Sequence, residues 1–285
     1  MTENLKAYAK INITLDVVGK RPDGYHNLKS IMQTVSLYDE IDMKTDDSGE
    51  IIISVNWPYL VTDKRNIAYK AADLFFKKTG IRSGLSIGIH KKIPMGAGLG
   101  GGSADAAAVL TGLNKMFGNP LTYDALAEVG LMCGADVPFC LKKGTCLAEG
   151  LGEILTPLPS FPDCFILIAK PLISLSTKSV FEDLSIKNIK HHPNTDGVIE
   201  ALHEKNLFGI SIRVYNVLEE TVRERYRDLD FYKGIMLENG ALGAAMTGSG
   251  SVVFGIFDEK KLAQNAADKF NKLTVSTFIT KPLCC

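Results

Sequence analysis

The sequence has no excess of charge of either sign and no apolar leader at its N-terminus. Its 285 residues contain 32 Lys plus Arg and 32 Asp plus Glu, so the formal net charge is zero. Dedicated nucleic-acid-binding domains usually carry a basic excess, so we expect no nucleic-acid partner. The first ten residues, MTENLKAYAK, are partly charged and lack the apolar segment of a signal peptide. We therefore expect a cytoplasmic protein.

The six cysteines lack any spacing typical of a metal or redox site. None forms a C-x-x-C pair, and none has a histidine partner at zinc-finger spacing. We therefore predict free thiols in a reducing compartment. Cys284 and Cys285 end the chain without forming a C-a-a-X lipidation signal, and we predict that this tail is incidental.

An uncharged run from 240 to 257 is too often interrupted to cross a membrane. It contains five glycines and three hydroxyl residues. This composition is typical of two short strands joined by a loop rather than of a continuous apolar helix. We therefore expect no membrane partner.

The composition is that of a globular protein with one or two domains. Hydrophobic residues make up 46% of the chain and charged residues 22%. Three prolines between 157 and 162 mark the best candidate boundary. We predict an N-terminal domain over residues 1–160 and a C-terminal domain over 161–285.

The first domain is predicted to open with a long strand. Apolar and polar residues alternate from Leu5 to Val17, which predicts one buried face. Lys10 and Asn12 would then point the same way, about 7 Å apart. Further along, the pattern predicts strands at 50–57 and 85–92, helices at 66–78, 104–117 and 123–133, and a hairpin at 144–155.

The second domain is predicted to contain a ferredoxin-like layer. Its pattern is a strand, several helical segments between 176 and 236, two strands, a helix and a final strand. That order is typical of a split βαβ arrangement. The predicted strands are 165–169, 241–246, 252–257 and 275–280, and the last helix is 259–272.

A glycine-rich segment between a predicted strand and a predicted helix is typical of a phosphate-binding loop. Glycines stand at 96, 98, 100, 101 and 102, directly before Ser103, which we predict to be the N-cap. Glycines let the backbone approach a ligand, and the unpaired N–H groups at a helix start attract anions. The alternative is a flexible loop that closes a helix.

These glycines fit two familiar nucleotide motifs only in part. They satisfy G-x-G-x-x-G, but the acidic residue expected about 20 positions later would be Asp124, in a predicted helix. They also have P-loop spacing, but Gly102 stands where that motif needs a lysine. A cation for a transferred phosphoryl group would then come from elsewhere. The candidates are Lys10, Lys91 and Lys92.

Asp136 is the only charged residue between Glu128 and Lys142. A lone carboxylate in apolar surroundings is costly unless it is paired or functional. Phosphoryl transfer needs a carboxylate that accepts a hydroxyl proton or binds Mg²⁺, and Lys10 is its candidate partner. The structural alternatives are a helix cap for Asp136 and a solvated charge for Lys10.

Several segments together resemble the GHMP kinases, the family of galactokinase, homoserine kinase, mevalonate kinase and phosphomevalonate kinase. Residues 94–104 (PMGAGLGGGSA) resemble the ATP loop of the family, and residues 247–251 (TGSGS) resemble its third motif. Residues 9–12 (AKIN), 19–26 (GKRPDGYH) and 134–139 (GADVPF) resemble members with a cytidyl substrate. The resemblance implies an α+β, two-domain fold with a ribosomal-protein-like N-terminal domain and a ferredoxin-like C-terminal domain.

The resemblance also implies an activity. That activity is ATP-dependent phosphorylation of the 2-hydroxyl of a methylerythritol unit carrying a cytidine diphosphate, in isoprenoid precursor synthesis. Asp136 matches the general base, and Lys10 matches the lysine that orients Asp136 and the substrate hydroxyl and stabilises negative charge. ATP and Mg²⁺ are the implied cofactors, with Ser103 and Asp136 as possible metal contacts.

The first motif of the family, residues 9–12, stands so early in the sequence that it leaves no room for a plastid transit peptide, which favours a bacterial cytoplasm. We expect a monomer or a weak homodimer.

The resemblance assigns two sets of binding residues. Tyr25 and Phe181 would bracket the cytosine ring and His26 would bind its edge, whereas core packing is the alternative for the two aromatics. Met32 departs from relatives that carry an aromatic near the substrate. The implied substrate residues are Asn12, Tyr25, His26, Thr177 and Phe181. The implied ATP residues are Pro94, Met95, Gly96, Ala97, Gly98, Leu99, Gly100, Gly101, Gly102, Ser103, Ala104, Asn66 and Lys91.

Two other functions stay open on the sequence. One is a different small-molecule kinase of the same family, of the homoserine or mevalonate type. The other is a non-catalytic protein that binds nucleotide or nucleic acid.

Overall fold

The computed structural model describes residues 1–284, apart from the side chains of Asn188 and Glu224. It is an α+β chain whose contacts group into two compact units. Unit 1 comprises Met1–Ala9, Leu37–Met95 and Gly100–Lys142, and unit 2 comprises Lys10–Ser36, Gly96–Leu99 and the chain from Lys143 onward. These units do not coincide with the predicted domains 1–160 and 161–285, which stay a prediction. Cys285 lies outside the described residues.

Unit 1 is a small sheet covered by helices. Within it, residues 40–46 of β2 (His26–Asp46) pair antiparallel with β4 (Gly84–His90), and β4 pairs parallel with β3 (Ile51–Val55). Helices α1 and α2 pack their small and aromatic residues, among them Ala71, Phe75 and Leu110, into one buried core. The elements are β1 (Thr2–Lys20) and β2 (His26–Asp46), which continue into unit 2, then β3 (Ile51–Val55), α1 (Ile67–Thr79), β4 (Gly84–His90), α2 (Gly101–Met116), α3 (Tyr123–Cys133) and α4 (Val137–Lys142).

Unit 2 begins with the other parts of β1 and β2. Strands β5 (Thr145–Gly150) and β6 (Ile154–Pro157) form the hairpin predicted at 144–155, and β5 pairs with residues 28–33 of β2. Its further elements are β5 (Thr145–Gly150), β6 (Ile154–Pro157), β7 (Phe165–Pro171), α5 (Thr177–Asp183), α6 (Thr195–His203), α7 (Leu207–Ser211), β8 (Tyr215–Asn216), α8 (Leu218–Arg225), α9 (Asp228–Glu238), β9 (Gly243–Met246), β10 (Val253–Phe257), α10 (Lys260–Phe270) and β11 (Val275–Thr280).

The ferredoxin-like layer predicted for the C-terminal part is confirmed. Its strands lie in the order β11-β7-β10-β9, and every neighbouring pair is antiparallel. Helices α9 and α10 bury Met236, Ala266 and Phe270 in the core that Leu167 and Val253 of the sheet also line. The uncharged run at 240–257 forms β9, a loop and β10, and no described helix has the length and apolarity to cross a membrane.

The prediction that β1 buries only one face is wrong. The apolar residues Ile11 and Ile13 are buried, but so are Lys10, Asn12 and Thr14 on the other face. The polar side chains find hydrogen-bond partners there, which offsets the cost of removing them from water. Alternation therefore gave the direction of each side chain correctly but not its exposure.

The predicted start of α2 is also wrong. The helix begins at Gly101 rather than Ala104, and the N–H of Ala104 donates to the carbonyl oxygen of Gly100. Gly100 is the N-cap with a φ of 68°, a left-handed conformation that glycine adopts without strain, so Ser103 lies inside the first turn. Asp105 therefore lies beyond the first turn of the helix. By contrast, α1 (Ile67–Thr79) lies within one residue of the predicted bounds 66–78 at each end.

Candidate active site

The first glycine loop runs from Pro94 into the start of α2. Gly96, Gly98 and Gly100 have φ values of 59°, 69° and 68°. The helix has no side-chain cap within the described residues, so the N–H groups of its first turn are available to a ligand. Backbone N–H groups and the positive end of a helix dipole together favour an anion such as a phosphate. This part of the chain has the geometry expected of a phosphate loop.

In unit 2 the first glycine loop contacts the second one. A Cβ atom built on Gly98 would lie 2.4 Å from the carbonyl oxygen of Thr247 and 3.2 Å from the Cα of Gly248. A Cβ on Gly248 would lie 2.9 Å from the Cα of Gly98. The second loop, which alone resembles a plain hairpin turn, therefore lies directly against the first.

Asn12 joins Lys10 of β1 to the second glycine loop. Its Oδ1 accepts hydrogen bonds from Lys10 Nζ at 2.8 Å, from Gly248 N–H at 3.1 Å and from the Thr247 hydroxyl at 3.3 Å. Its Nδ2 donates to Ser30 Oγ at 2.8 Å, which fixes the orientation of the amide. The predicted proximity of Lys10 and Asn12 is confirmed. The polar face of this strand, which we expected to be exposed, is instead a buried hydrogen-bond network.

Asp136 lies in unit 1, immediately before α4. Its backbone carbonyl accepts the N–H of Cys140 at 3.1 Å, so it occupies the capping position that the structural alternative suggested. Its side chain is half-buried. A Cβ on Gly134, two residues earlier, would lie 3.9 Å from Ser103 Oγ, which places the first turn of α2 beside this segment.

Lys91 forms a buried cluster with two carboxylates. Its Nζ lies 2.5 Å from Asp39 Oδ2 and 2.7 Å from Asp105 Oδ2, and 3.3 Å from a Cβ built on Gly101. The cluster therefore lies directly under the first turn of α2. Asp39 also accepts the N–H groups of Lys92 and Ile93, so it anchors the chain that enters the glycine loop.

Burial and charge act against each other in this cluster. Burial lowers the pKa of Lys91, but Asp105 and Asp39 outweigh it and the pKa lies above its ordinary value. Burial raises the pKa of Asp105 to about 7, and the neighbouring Asp39 adds to this effect while Lys91 opposes it. The second oxygen of Asp105 has no hydrogen-bond partner among the described residues. A single ammonium thus stabilises two buried carboxylates incompletely.

The other predicted lysine and the predicted adenine residue have clear local partners. Lys92 forms an ion pair with Glu40 at the surface. Asn66 caps α1, because its Oδ1 accepts the N–H of Ala68 at 2.9 Å and its Nδ2 donates to the Val61 carbonyl at 2.8 Å.

All five predicted substrate residues lie in unit 2. The rings of His26 and Phe181 stack with centroids 5.4 Å apart, while the Tyr25 side chain is 64% exposed. Burial and the nearby Lys20 lower the pKa of His26, which favours the neutral imidazole. The Thr177 hydroxyl lies 2.8 Å from Ser249 Oγ of the second glycine loop.

Met32, which we expect to replace an aromatic residue of some relatives, lies in the core of unit 2. Met32 is 2% exposed and pairs with Cys146 across β2 and β5. None of the cysteines at 133, 140, 146, 164 and 284 forms a disulfide, as predicted.

Sequence reasoning missed Asp39, Ser30 and Ser249. Asp39 is 52 residues from its partner Lys91, and Ser249 is 72 residues from Thr177. Asp39 and Ser30 lie in no local motif, whereas Ser249 belongs to the TGSGS segment, and only the folded chain reveals the partner of each.

Two family models match the chain. They describe the GHMP kinases N terminal domain over residues 66–144 and the GHMP kinases C terminal domain over residues 188–275. A curated relative from Lachnoclostridium phytofermentans is 45% identical over 280 residues, which cover 98% of this chain and 96% of the relative. A relative from Caldicellulosiruptor saccharolyticus is 48% identical with the same coverage. Both are named 4-diphosphocytidyl-2-C-methyl-D-erythritol kinase.

Solved structures agree with these sequence matches. A crystal structure of 4-(cytidine 5'-diphospho)-2C-methyl-D-erythritol kinase has a TM-score of 0.84 and 31% identity, covering 99% of this chain and all of that one. Homoserine kinase from Cytophaga hutchinsonii has a TM-score of 0.79 at 19% identity, covering 99% and 95% of the two chains. The second likeness shows the fold alone.

Proposed function

This chain belongs to the GHMP kinase family, and we propose that it transfers the γ-phosphoryl group of ATP to the 2-hydroxyl of 4-diphosphocytidyl-2-C-methyl-D-erythritol. This reaction belongs to the non-mevalonate synthesis of isoprenoid precursors. The observation that carries the proposal is identity of 45–48% over 98% of the chain with kinases named for that substrate. The contact between the two glycine loops and the Lys10–Asn12 network support phosphoryl transfer on physical grounds.

ATP is proposed to bind the first glycine loop. The N–H groups at the start of α2 would hold its phosphates, with Pro94–Ala104 forming the loop. Asn66 and Lys91 are still predicted to lie near the adenine of ATP. Asn66 already caps a helix and Lys91 already stabilises two carboxylates, so each would serve ATP from a fixed position.

We assign Asp136 as the general base that accepts the proton of the substrate hydroxyl. Lys10 is assigned as the cation that stabilises negative charge on the transferring group. Its ammonium already donates to Asn12, which fixes its direction before substrate arrives. Preorganised charge of this kind lowers the barrier because it costs no rearrangement during the reaction.

Mg²⁺ is proposed as the metal that accompanies ATP. Residues 1–284 contain no described group of three or more His, Cys, Asp or Glu side chains that could enclose a metal. A Mg²⁺ ion in a kinase does not need such a group, because it keeps several waters and takes only one or two protein ligands beside the phosphates. Ser103 and Asp136, on neighbouring segments of unit 1, are the proposed ligands. When bound, the metal would neutralise phosphate charge.

The cytidyl group is proposed to bind the aromatic residues of unit 2. Tyr25 and Phe181 would stack on the cytosine and His26 would bind its edge, for which a neutral ring offers both a donor and an acceptor. Asn12 and Thr177 would bind nearer the reacting hydroxyl.

The same proposal includes a bacterial cytoplasmic location, a monomer or weak homodimer, and domains 1–160 and 161–285.

The test measures ADP release with Mg-ATP and 4-diphosphocytidyl-2-C-methyl-D-erythritol as the acceptor. Homoserine, mevalonate and galactose serve as control acceptors. We expect turnover with the cytidyl substrate alone, and phosphorus NMR of the product should show a new phosphomonoester at the 2-position. Turnover with homoserine or mevalonate alone would support the alternative kinase type. Nucleotide binding without turnover of any acceptor would contradict the assigned reaction.

A further inference from the structure

Asn216 is a fully buried residue of β8 whose side chain contacts the second glycine loop. Its Nδ2 donates to the carbonyl oxygens of Met246 at 3.0 Å and of Gly248 at 2.8 Å, on either side of Thr247. Its Oδ1 accepts the backbone N–H of Leu218 at 3.0 Å. The reverse orientation would place Oδ1 against two carbonyl oxygens, so the amide has only one possible orientation.

The backbone of Asn216 is attached to β1. Strand β8 pairs parallel with β1, with Asn216 opposite Leu15, and the N–H of Val217 donates to the Leu15 carbonyl at 3.0 Å. Strand β1 also carries Lys10 and Asn12. Asn216 therefore fixes the second glycine loop relative to the same strand that presents the proposed catalytic lysine.

Asn12 holds the loop from its other side. The Gly248 N–H and the Thr247 hydroxyl donate to Asn12 Oδ1, which also accepts Lys10 Nζ. The Asn12 N–H donates to Thr247 Oγ1 at 2.9 Å. Because the loop and the ammonium share one acceptor atom, a displaced loop would change the position and hydrogen bonding of Lys10.

We propose that Asn216 is a positioning residue of the phosphoryl-transfer site, which sets the place of the Lys10 ammonium by holding the Thr247–Gly248 peptide against Asn12. This inference rests on the proposed function. Asn216 acts through Asn12 rather than by contact with ATP or substrate. Nothing in the local sequence distinguishes it, since the contact depends on a two-residue strand and a loop 30 residues later.

The first test is Asn216→Asp, which keeps the acceptor for Leu218 and removes both donors without changing size. We expect kcat to fall by about tenfold or more, since a displacement near 1 Å can cost about 100-fold, with the KM values for both substrates retained. Asn114→Asp is the matched control, because buried Asn114 donates to the Leu121 carbonyl at 3.0 Å away from the loops. A merely structural role predicts that both variants lose thermal stability and that neither loses kcat.

A double-mutant cycle tests the route through Asn12. If Asn216 acts through Asn12, Asn216→Asp should cause little further loss of kcat in an Asn12→Ala background. Equal fold-losses in the two backgrounds would overturn the inference. So would retained kcat in the Asn216→Asp single variant.

Hydrogen exchange gives a readout that does not depend on turnover. We expect faster amide exchange across residues 246–252 in Asn216→Asp and unchanged exchange there in Asn114→Asp. Absence of turnover in the wild-type chain would contradict the proposed function alone, and exchange would still report whether Asn216 holds the loop. Unchanged exchange in Asn216→Asp would overturn the inference.

Discussion

Gly98 and Thr247 lie so close that a Cβ atom on Gly98 would be 2.4 Å from the Thr247 carbonyl oxygen. Real Cβ atoms do not approach oxygen so closely, so only glycine permits this contact. Gly98 also has a φ of 69°, which adds backbone strain to any substitution. The two glycine loops can therefore touch only as long as position 98 has no side chain.

Gly98→Ala should separate the loops and reduce kcat by about tenfold or more, because catalytic groups would be displaced by a large fraction of 1 Å. The control is Gly118→Ala, where φ is 77° but no atom lies within 4 Å of the new Cβ. It should lose only about 1–2 kcal/mol of stability, the cost of a side chain at this left-handed φ, and retain turnover. Steady-state kinetics and thermal unfolding check both variants, and normal kcat in Gly98→Ala would refute the expectation.

Asp136→Asn should abolish proton acceptance while leaving the phosphate loop intact. We expect turnover to fall by about 100-fold or more with ATP-analogue binding retained by calorimetry. Asp124→Asn is the control, since Asp124 is an exposed acid in the first turn of α3. Near-normal turnover in Asp136→Asn would remove it as the general base.

Tyr25→Ala should weaken binding of the cytidyl substrate. Stacking of a base on an aromatic ring contributes about 1–3 kcal/mol, so the KM for this substrate should rise about tenfold while the KM for ATP stays unchanged. The Tyr25 side chain is 64% exposed, so little stability should be lost. Phe208→Ala, 60% exposed, is the control and should change neither KM. A selective change in ATP affinity would contradict the cytosine assignment.

Asn66→Ala separates a helix cap from a nucleotide contact. Loss of the cap should cost about 1 kcal/mol of stability, and loss of an adenine contact should in addition raise the KM for ATP. Thr122→Ala removes the equivalent cap of α3 and should lower stability alone. If the two variants have the same KM for ATP, Asn66 is a cap and nothing more.

Asp105 should make folding stability depend on pH. Its pKa is raised by burial from 3.8 to about 7, so the folded protein keeps a proton that the unfolded chain releases. The resulting stabilisation is complete below the unfolded pKa and is lost as pH rises through about 7. Between about pH 4 and pH 8, the free energy of unfolding of the wild type should fall by roughly 2–4 kcal/mol relative to that of the Asp105→Asn variant.

Urea unfolding at a series of pH values measures this difference. Asp73→Asn, which removes a partly exposed ion pair with Lys77, is the control and should follow the wild type across the range. Parallel stability curves for the wild type and Asp105→Asn would show that Asp105 does not hold a proton in the folded protein.

Patterns within about 20 residues of sequence predicted much of the fold. Alternation identified β1, helical periodicity over 123–133 identified α3, and strand order in the last 120 residues identified the ferredoxin-like layer. These features depend on local periodicity and turn chemistry, which a sequence displays directly. The start of α2 was mistaken because a left-handed glycine can begin a helix without a capping side chain.

The candidate site was predictable in its residue types but not in its partners. The glycine loop and Lys10 could be picked out, because glycine density and a charge within a regular strand are visible locally. The partners Asp39 and Asn216 could not, since each meets its target across tens of residues. Burial of the polar face of β1 depends on the loop at 247–248 and is likewise invisible in strand periodicity.

The bond from the Asn12 backbone to Thr247 spans 235 residues of sequence. During synthesis, the polar face of β1 is covered only after Thr247 and Gly248 have been added to the chain. A nascent chain that stops before residue 248 has no acceptor or donor to complete the Lys10 network, however well its first helices pack. The lysine site is therefore completed only after β8 and the second loop have been synthesised and have left the ribosome.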